Sequence, residues 1–263
     1  MIKKELNNFS LQQIADSGQC FRMKMTDPSH AVVIAHDRIL EIHDNQSGSF
    51  EFDCSEKDFN EIWSDYFDLG TDYSSFADVI PPSDRFLNAA AEYGSGIRIL
   101  KQDPFEPLIT FITSQRKNIP AIKSSVEKLC LLCGCEIENG IYAFPDPKAI
   151  AALSDEDLKR CSLGYRTGYV RSAANAVYHG DFNLSTAYSL DDAELFDALC
   201  SLHGVGKKVA NCVMLFAYHR IDSFPVDVWI QRVIDEQYNG SFPLDLYTGF
   251  AGVIQQYMFF YGR

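Results

Sequence analysis

The sequence predicts an α+β protein, with a small antiparallel β-rich N-terminal domain over residues 1–82 and an all-helical domain over residues 83–263. Three observations carry this. The run SHAVVIAHDRILEIHDNQSGSFEFDC alternates β-branched or aromatic residues with polar ones and is punctuated at Ser47-Gly48-Ser49, the pattern of short antiparallel strands with one wet face. The texture then changes at DVIPPSDRFLNAAAEY, where Pro81-Pro82 stops regular structure. Beyond that point apolar residues recur at helical spacing almost to the C-terminus.

In order along the chain, a short polar start precedes strands between Gly18 and about Tyr73. Ser83 or Asp84 can cap the first helix of the second domain. Helices are expected over 84–93, 104–116, 119–133, 155–160, 165–178, 191–202, 207–219, 227–237 and 245–261. Ser154 with Asp157 three residues later reads as a capping box that uses Asp in place of Glu. In LGYRTGYVRSAANAV a helix restarts after Leu163-Gly164, with Tyr165 and Arg166 at its beginning.

Composition limits the function classes. A chain of 263 residues with 46% hydrophobic and 22% charged side chains can bury a sizeable core. The 36 acidic against 23 basic side chains, net −13, argue against a broad basic footprint, so any contact with nucleic acid has to be made locally. Eight cysteines are scattered through a chain without a secretory-type leader, which points to reduced thiols in a cytosolic compartment. Cys130, Cys133 and Cys135 form the tightest group. No second pair or Cys/His tract follows to complete a metal site, and the stretch is apolar, so buried core thiols are expected. No apolar run reaches the length of a membrane span.

The chemistry concentrates in LCSLHGVGKKVANCVML. Two helices separated only by HGVG form a tight hairpin near 191–219, because Gly204 and Gly206 supply backbone angles or close approaches that side chains obstruct. The second helix opens with unpaired N–H groups, which can hold a phosphate by geometry and partial charge without a basic surface. Adjacent residues on a helix point about 100° apart, so Lys207 and Lys208 do different work. Lys208 shares a face with Cys212 and Leu215, while Lys207 shares one with Asn211 and Met214. A lysine at the edge of an apolar wall is a candidate nucleophile, and it is also what a snorkelling surface lysine looks like. In FPVDVWI, Pro225 enforces an extended entry and Asp227 stands where a helix begins, as a cap.

LHGVGKKVANC together with FPVDVWI resembles the helix-hairpin-helix DNA glycosylases, and more specifically the 8-oxoguanine DNA glycosylase family. GIRILKQDPFEPLITFITSQRKNI, LGYRTGYV and the final GFAGVIQQYMFF extend the resemblance from SGQCFRM almost to the last residue. It implies a helix-hairpin-helix glycosylase core and a bifunctional DNA glycosylase with an abasic-site lyase step. Lys208 is then the group that attacks the anomeric carbon, and Asp227 the carboxylate that supports the charge of the sugar transition state. Gly18 resembles the glycine whose carbonyl accepts the N7 hydrogen of oxidised guanine. Gln255 resembles the glutamine at the pyrimidine-like edge, Phe259 the stacking aromatic, and Cys212 the thiol on the other face of the base. Tyr165 resembles the wedge that fills the space left by the flipped base, and Arg166 the arginine that reaches the orphaned cytosine. His203, Gly204, Gly206 and Lys207 fall at the phosphate-holding hairpin, and Asn118 near the estranged base.

The sequence departs from the family pattern at three positions. Arg116 stands where members commonly present an asparagine, Ala121 where better-known members offer a second arginine to the cytosine, and Trp229 where a histidine contacts phosphate. Weaker preference for cytosine opposite the lesion is the expectation. No cysteine follows Cys212, which excludes the four-cysteine iron–sulfur loop of some relatives. The resemblance implies no cofactor for catalysis, leaves room for a structural cation at the hairpin carbonyls, and implies a monomer that acts on duplex DNA containing oxidised guanine, away from membranes. Two other readings are a hairpin glycosylase for another damaged base, such as an alkylated purine, and a non-catalytic helix-hairpin-helix DNA-binding protein.

Overall fold

The N-terminal strands form one five-stranded antiparallel sheet in the order β1-β5-β4-β3-β2, with β1 Ile2–Glu5, β2 Met23–Asp27, β3 His30–Ala35, β4 Arg38–Asp44 and β5 Ser49–Phe52. This computed structural model describes residues 1–263. Alternation along each strand decides the faces: Met23, Ala31, Val33, Leu40, Ile42, Phe50 and Phe52 are buried, and the polar residues between them face outward. Ile2 stands opposite Phe52, and Phe52 opposite Ile42, so one apolar row crosses three strands. Phe9, Phe50, Phe59 and Phe67 join it through edge-to-face ring contacts.

The polar start is structured by β1 and a short helix α1 (Leu11–Asp16), capped by the Ser10 hydroxyl. Residues 56–66, within the stretch expected as strands, are helical: α2 (Glu56–Asp58), a π turn (Phe59–Trp63) and α3 (Ser64–Tyr66), followed after a run of turns by α4 (Ser74–Asp78). The buried aromatics Phe59, Trp63, Tyr66 and Phe67 explain the correction, since they recur three and four residues apart and make a helical stripe.

From Asp84 onward the expected helices are present, with ends set by local geometry. They are α5 (Arg85–Tyr93), α6 (Phe105–Ser114), α7 (Ile119–Cys133), α8 (Pro147–Ala151), α9 (Asp155–Arg160) and α10 (Thr167–His179). A small hairpin, β6 (Glu136–Glu138) with β7 (Ile141–Tyr142), follows α7. The last helices are α11 (Asp192–Ser201), α12 (Lys207–Phe216), α13 (Val228–Tyr238) and α14 (Ala251–Gly262). The Ser154–Asp157 capping box of α9 forms with both reciprocal bonds. Neither α8 nor the β6–β7 hairpin was legible in the sequence, because both are too short to show a period. The final helix starts later than its apolar pattern, after Gly249 adopts φ +93°.

Contacts divide the chain into two compact units: Met1–Val33, Leu40–Lys101 and His219–Arg263 form one, and Ile34–Ile39 with Gln102–Tyr218 the other. The compositional break at Pro81-Pro82 is therefore not where packing divides. Within the first unit α5 packs on α14, and the Tyr238 hydroxyl of α13 donates to Asp84, the cap of α5, at 2.9 Å. That unit also holds a saturated polar node. The Asp68 carboxylate accepts from the Thr71 and Tyr73 hydroxyls, both at 3.0 Å, and lies 3.2 Å from Lys101 and 3.3 Å from His219. Burial by itself raises its pKa, but the hydrogen bond and charge of His219, the Thr71 hydroxyl and Lys101 outweigh burial and hold it at about 2. Beside it, the buried Arg98 guanidinium donates to the carbonyls of Phe67, Asn8, Asp68 and Thr71.

In the second unit α6 packs against α7, α10 and α12, and α11 against α12. Phe111 of α6 and Phe216 of α12 stack at 5.4 Å. Cys130 is buried as expected and Cys133 is half-buried, its thiol pushed up to about 12 mainly by burial. Cys135 is exposed, a correction to the buried thiol expected there, because the chain leaves α7 at Gly134 and turns outward into β6.

Candidate active site and nucleic-acid interface

The turn between α11 and α12 is closed by the Val205 N–H donating to the Leu202 carbonyl at 3.0 Å. Gly204 adopts φ +88°, and a Cβ there would lie 2.3 Å from the Tyr169 ring, so both conformation and space require glycine. His203 stands exposed and edge-on to the same ring at 4.9 Å. Gly206 is the N-cap of α12 and brings no side-chain acceptor. The N–H groups of the first turn thus have no capping side chain, and that end of the helix is available to an anion.

The two lysines separate as their spacing requires. Lys207 is exposed, and its carbonyl accepts from the Asn211 side chain. Lys208 is half-buried with its ammonium 5.2 Å from the centroid of the Phe111 ring, and it makes no ion pair. One turn further along the same face lies Cys212, 3% exposed. With no carboxylate partner, the Lys208 side chain is not committed to an ion pair.

In the same unit, Tyr165 is 54% exposed in the middle of a short 3-10 turn, Gly164–Arg166, that runs into α10. Its ring meets Tyr169 edge-on at 5.9 Å, and Tyr169 in turn supports His203 and Gly204. Arg166 does not point outward as its expected role requires. It is 6% exposed, lies over the Tyr165 ring, and donates to the Leu163 carbonyl at 3.1 Å and, through two nitrogens, to the Gln115 carbonyl. Gln115 then donates its side-chain amide to the Gly204 carbonyl at 2.9 Å. Arg116 is exposed in the left-handed region at φ +52°. Asn118 is exposed but uses its side-chain oxygen to cap α7 through the Ala121 N–H.

The first unit carries the remaining residues. Asp227 caps α13: its Oδ1 accepts from the N–H groups of Trp229 and Ile230, both at 2.9 Å, while Oδ2 accepts nothing. One oxygen orients the carboxylate and the other stays open. Trp229 is 40% exposed in the first turn of the same helix. On α14, Gln255 and Phe259 are four residues apart and share a face. Phe259 is half-buried under the Arg263 guanidinium. The Gln255 amide is committed at both ends, donating to the Pro225 carbonyl at 3.0 Å and accepting from Gln256 at 2.9 Å. Gly18 adopts φ +76°, and its turn is fixed by the fully buried Gln19, which donates to the Ser17 hydroxyl and the Arg98 carbonyl and accepts from the Leu100 N–H, each at 2.8 Å.

Residues 1–108 match the model of the 8-oxoguanine DNA glycosylase N-terminal domain, and residues 109–241 that of the HhH-GPD superfamily of base excision DNA repair proteins. The N-glycosylase/DNA lyase of Saccharomyces cerevisiae is 30% identical over 260 residues, covering 88% of this chain and 69% of that protein. The chain belongs to the 8-oxoguanine DNA glycosylase family. A probable N-glycosylase/DNA lyase of Methanothermobacter thermautotrophicus is 28% identical over 244 residues, covering 80% of this chain and 77% of the relative. The solved 8-oxoguanine glycosylase/lyase of Clostridium acetobutylicum, in complex with double-stranded DNA containing cytosine opposite 8-oxoguanine, superposes with a TM-score of 0.90 at 31% identity. That superposition covers 99% of this chain and 96% of the other.

Two positioning residues of this glycosylase escaped the sequence reading. Gln19 clamps the turn that presents Gly18, and Gln115 ties the Arg166 segment to the hairpin. Each stands next to a residue that was singled out, in SGQCF and SQRKN. Their partners lie 81 and 89 residues away, so no local pattern marked them.

Proposed function

We propose that the chain is a bifunctional DNA glycosylase and abasic-site lyase that removes 8-oxoguanine from duplex DNA. The observation that carries this reading is Lys208: a lysine without an ion pair, in the first turn behind an uncapped hairpin, on the face that holds Cys212. A pure DNA-binding hairpin has no use for an amine kept in that state.

The chemistry follows from the groups present. The Lys208 amine attacks C1′ of the damaged nucleoside, the glycosidic bond breaks, and its electron pair leaves with the base. Asp227, through its open Oδ2, stabilises the positive charge that develops on the sugar. Opening of the sugar ring gives a Schiff base between Lys208 and C1′. Loss of a C2′ proton from this adduct eliminates the 3′ phosphate. The uncapped start of α12, with Gly204, Gly206, His203 and Lys207, holds a backbone phosphate. The exposed Tyr165 fills the gap in the stack, with Arg166 and Asn118 turning out from their internal bonds toward the opposite base. The Gly18 carbonyl accepts the N7 hydrogen that oxidised guanine has and guanine lacks, so undamaged guanine leaves that acceptor unmatched. Gln255 and Phe259 serve the edge and face of the base, Gln255 exchanging its internal partners for it.

The reaction needs no metal or organic cofactor. A structural cation at the hairpin would use the carbonyls of Leu202 and Gly204, which accept from the Val205 N–H and from Gln115 and each keep one lone pair. The enzyme acts as a monomer on duplex DNA, in the cytoplasm or nucleoid of a prokaryote or the nucleus or mitochondrion of a eukaryote.

Borohydride trapping on duplexes containing 8-oxoguanine, a second oxidised base or an alkylated base tests the assignment. A covalent adduct is expected with 8-oxoguanine and is lost in Lys208→Gln, with excision falling by at least about 10⁴-fold. Failure to trap or cleave any 8-oxoguanine duplex refutes it, and preferential action on the alkylated duplex selects the alkyl-purine reading. Opposite-base selectivity is a second test. With Ala121 in place of an arginine and Arg116 in place of an asparagine, the advantage of cytosine is expected to stay within about tenfold, the worth of the one contact left to Arg166. Excision confined to cytosine-paired duplexes would show that these departures carry no weight.

A further inference from the structure

The outer face of the N-terminal sheet carries a cluster that base excision does not use. His30 lies on β3, and Glu41 and His43 lie two residues apart on β4, so they project to the same side while Leu40 and Ile42 fill the core. One ligand atom from each of the three lies within 4.8 Å of the others. His30 Nε2 is 3.3 Å from a Glu41 carboxylate oxygen, and the two imidazoles stack with centroids 4.1 Å apart. His30 Nε2 is also buried and, for all its closeness to Glu41, makes no hydrogen bond of adequate geometry. On the other side of the ring, Nδ1 faces the Asp27 carboxylate at 4.0 Å, and Asp27 is itself held by the Ser29 N–H and hydroxyl at 2.8 and 2.9 Å. Glu51 stands directly across from His43 on β5 and adds a further negative charge on that face.

We propose that His30, Glu41 and His43 form a binding site for a divalent transition-metal ion of the zinc type, with Asp27 orienting His30 from behind. A tetrahedral ion about 2.0–2.1 Å from each ligand sets the ligand atoms about 3.3–3.4 Å apart. The His30–Glu41 separation of 3.3 Å already equals that edge, and the half-buried His43 completes the site by turning out of its stack on His30, since the lone pairs of two parallel rings do not converge. Two imidazoles and one carboxylate select zinc, copper or nickel over calcium and magnesium, which prefer all-oxygen shells. A carboxylate behind a ligating histidine is common around protein-bound zinc, and Asp27 at 4.0 Å stands on the Nδ1 side, within reach of that role after a small approach. Glu41 and Asp27 together balance the charge of the dication. A plain ion pair between His30 and Glu41 accounts for the short distance, but it leaves the buried nitrogen without an aligned partner and gives the stacked His43 no role. The bound ion bridges neighbouring strands and so braces the β3–β4 hairpin.

Titration of the reduced, metal-free, full-length protein with cobalt(II) and zinc tests the site. One saturable ion per chain is expected, with a cobalt spectrum free of a thiolate-to-metal charge-transfer band, which separates this site from the eight free cysteines. Zinc at a hundredfold excess over its dissociation constant should raise the thermal midpoint by about 5–10 °C. His43→Gln and Glu41→Gln, two changes on an accessible strand face, should each weaken binding at least about tenfold and abolish the thermal shift. Both variants should retain the far-ultraviolet dichroism of the parent and its borohydride-trapped adduct. Absence of a saturable site, a spectrum dominated by the thiolate band, or unchanged zinc affinity in both variants overturns the proposal, and none of these outcomes bears on the glycosylase assignment.

Discussion

The starts of α12 and α13 present the same backbone problem and solve it in opposite ways. Each helix begins with N–H groups that no preceding turn can satisfy. At α13 the chain supplies its own anion: Asp227 Oδ1 accepts two of these groups, and the carboxylate is held rigid with Oδ2 open. At α12 the cap is Gly206, which supplies nothing. A closed helix start orients a charge for chemistry, and an open one leaves a socket for a charge that belongs to the substrate. In an acidic protein, at net −13, an open helix start of this kind would admit a phosphate without a basic surface.

The comparison breaks most visibly at Asp227. Asn caps a helix about as well as Asp, so Asp227→Asn should leave thermal stability and DNA affinity nearly unchanged while excision drops about 10²–10³-fold, or roughly 3–4 kcal/mol of barrier. Single-turnover excision beside a binding titration reads this split, and equal loss in both would reduce Asp227 to a cap. Asp227→Ala should add a loss of about 1 kcal/mol in stability.

Gly204→Ala tests the turn that sets up the open start. A side chain at φ +88° costs about 1–2 kcal/mol, and its Cβ would press on the Tyr169 ring. A loss of about 2–3 kcal/mol in urea denaturation is expected, with weaker DNA binding. Adding Tyr169→Ala, which removes the ring atoms but keeps a Cβ 2.5 Å away, should recover only part of the steric cost and none of the cost of the backbone angle. Full recovery would mean that the backbone angle is unimportant.

The mildest change converts the open start into a closed one. Gly206 has an ordinary φ of −97° and open space around it, so Gly206→Asp should fold. The new carboxylate should stabilise the free protein by a few tenths of a kcal/mol and lower DNA affinity by about tenfold, as it occupies the dipole end intended for phosphate. The salt dependence of binding should become shallower. Stabilisation without any loss of affinity would show that the α12 start is not a phosphate socket.

The hairpin and its residues were legible in the sequence because every relation that defines them spans a few positions. HGVG sets the turn, and the four-residue step from Lys208 to Cys212 sets the face. The proline before Asp227 sets the entry to α13. The helical aromatics between Phe59 and Phe67 carried the same kind of signal and were masked by the strands before them. Only the tertiary structure decided which side chains were already engaged. Arg166 and Gln255 look in sequence like groups reaching for DNA, yet each is bonded to backbone 30 or 51 residues away. Asp68, spaced to look like one more surface carboxylate, is buried by partners as distant as His219. His30 and His43 are thirteen positions apart and meet only because β3 and β4 pair. Turn chemistry and helical phase are local, so sequence alone determines them. The commitment of a polar group depends on what the folded chain brings beside it, and no spacing encodes that.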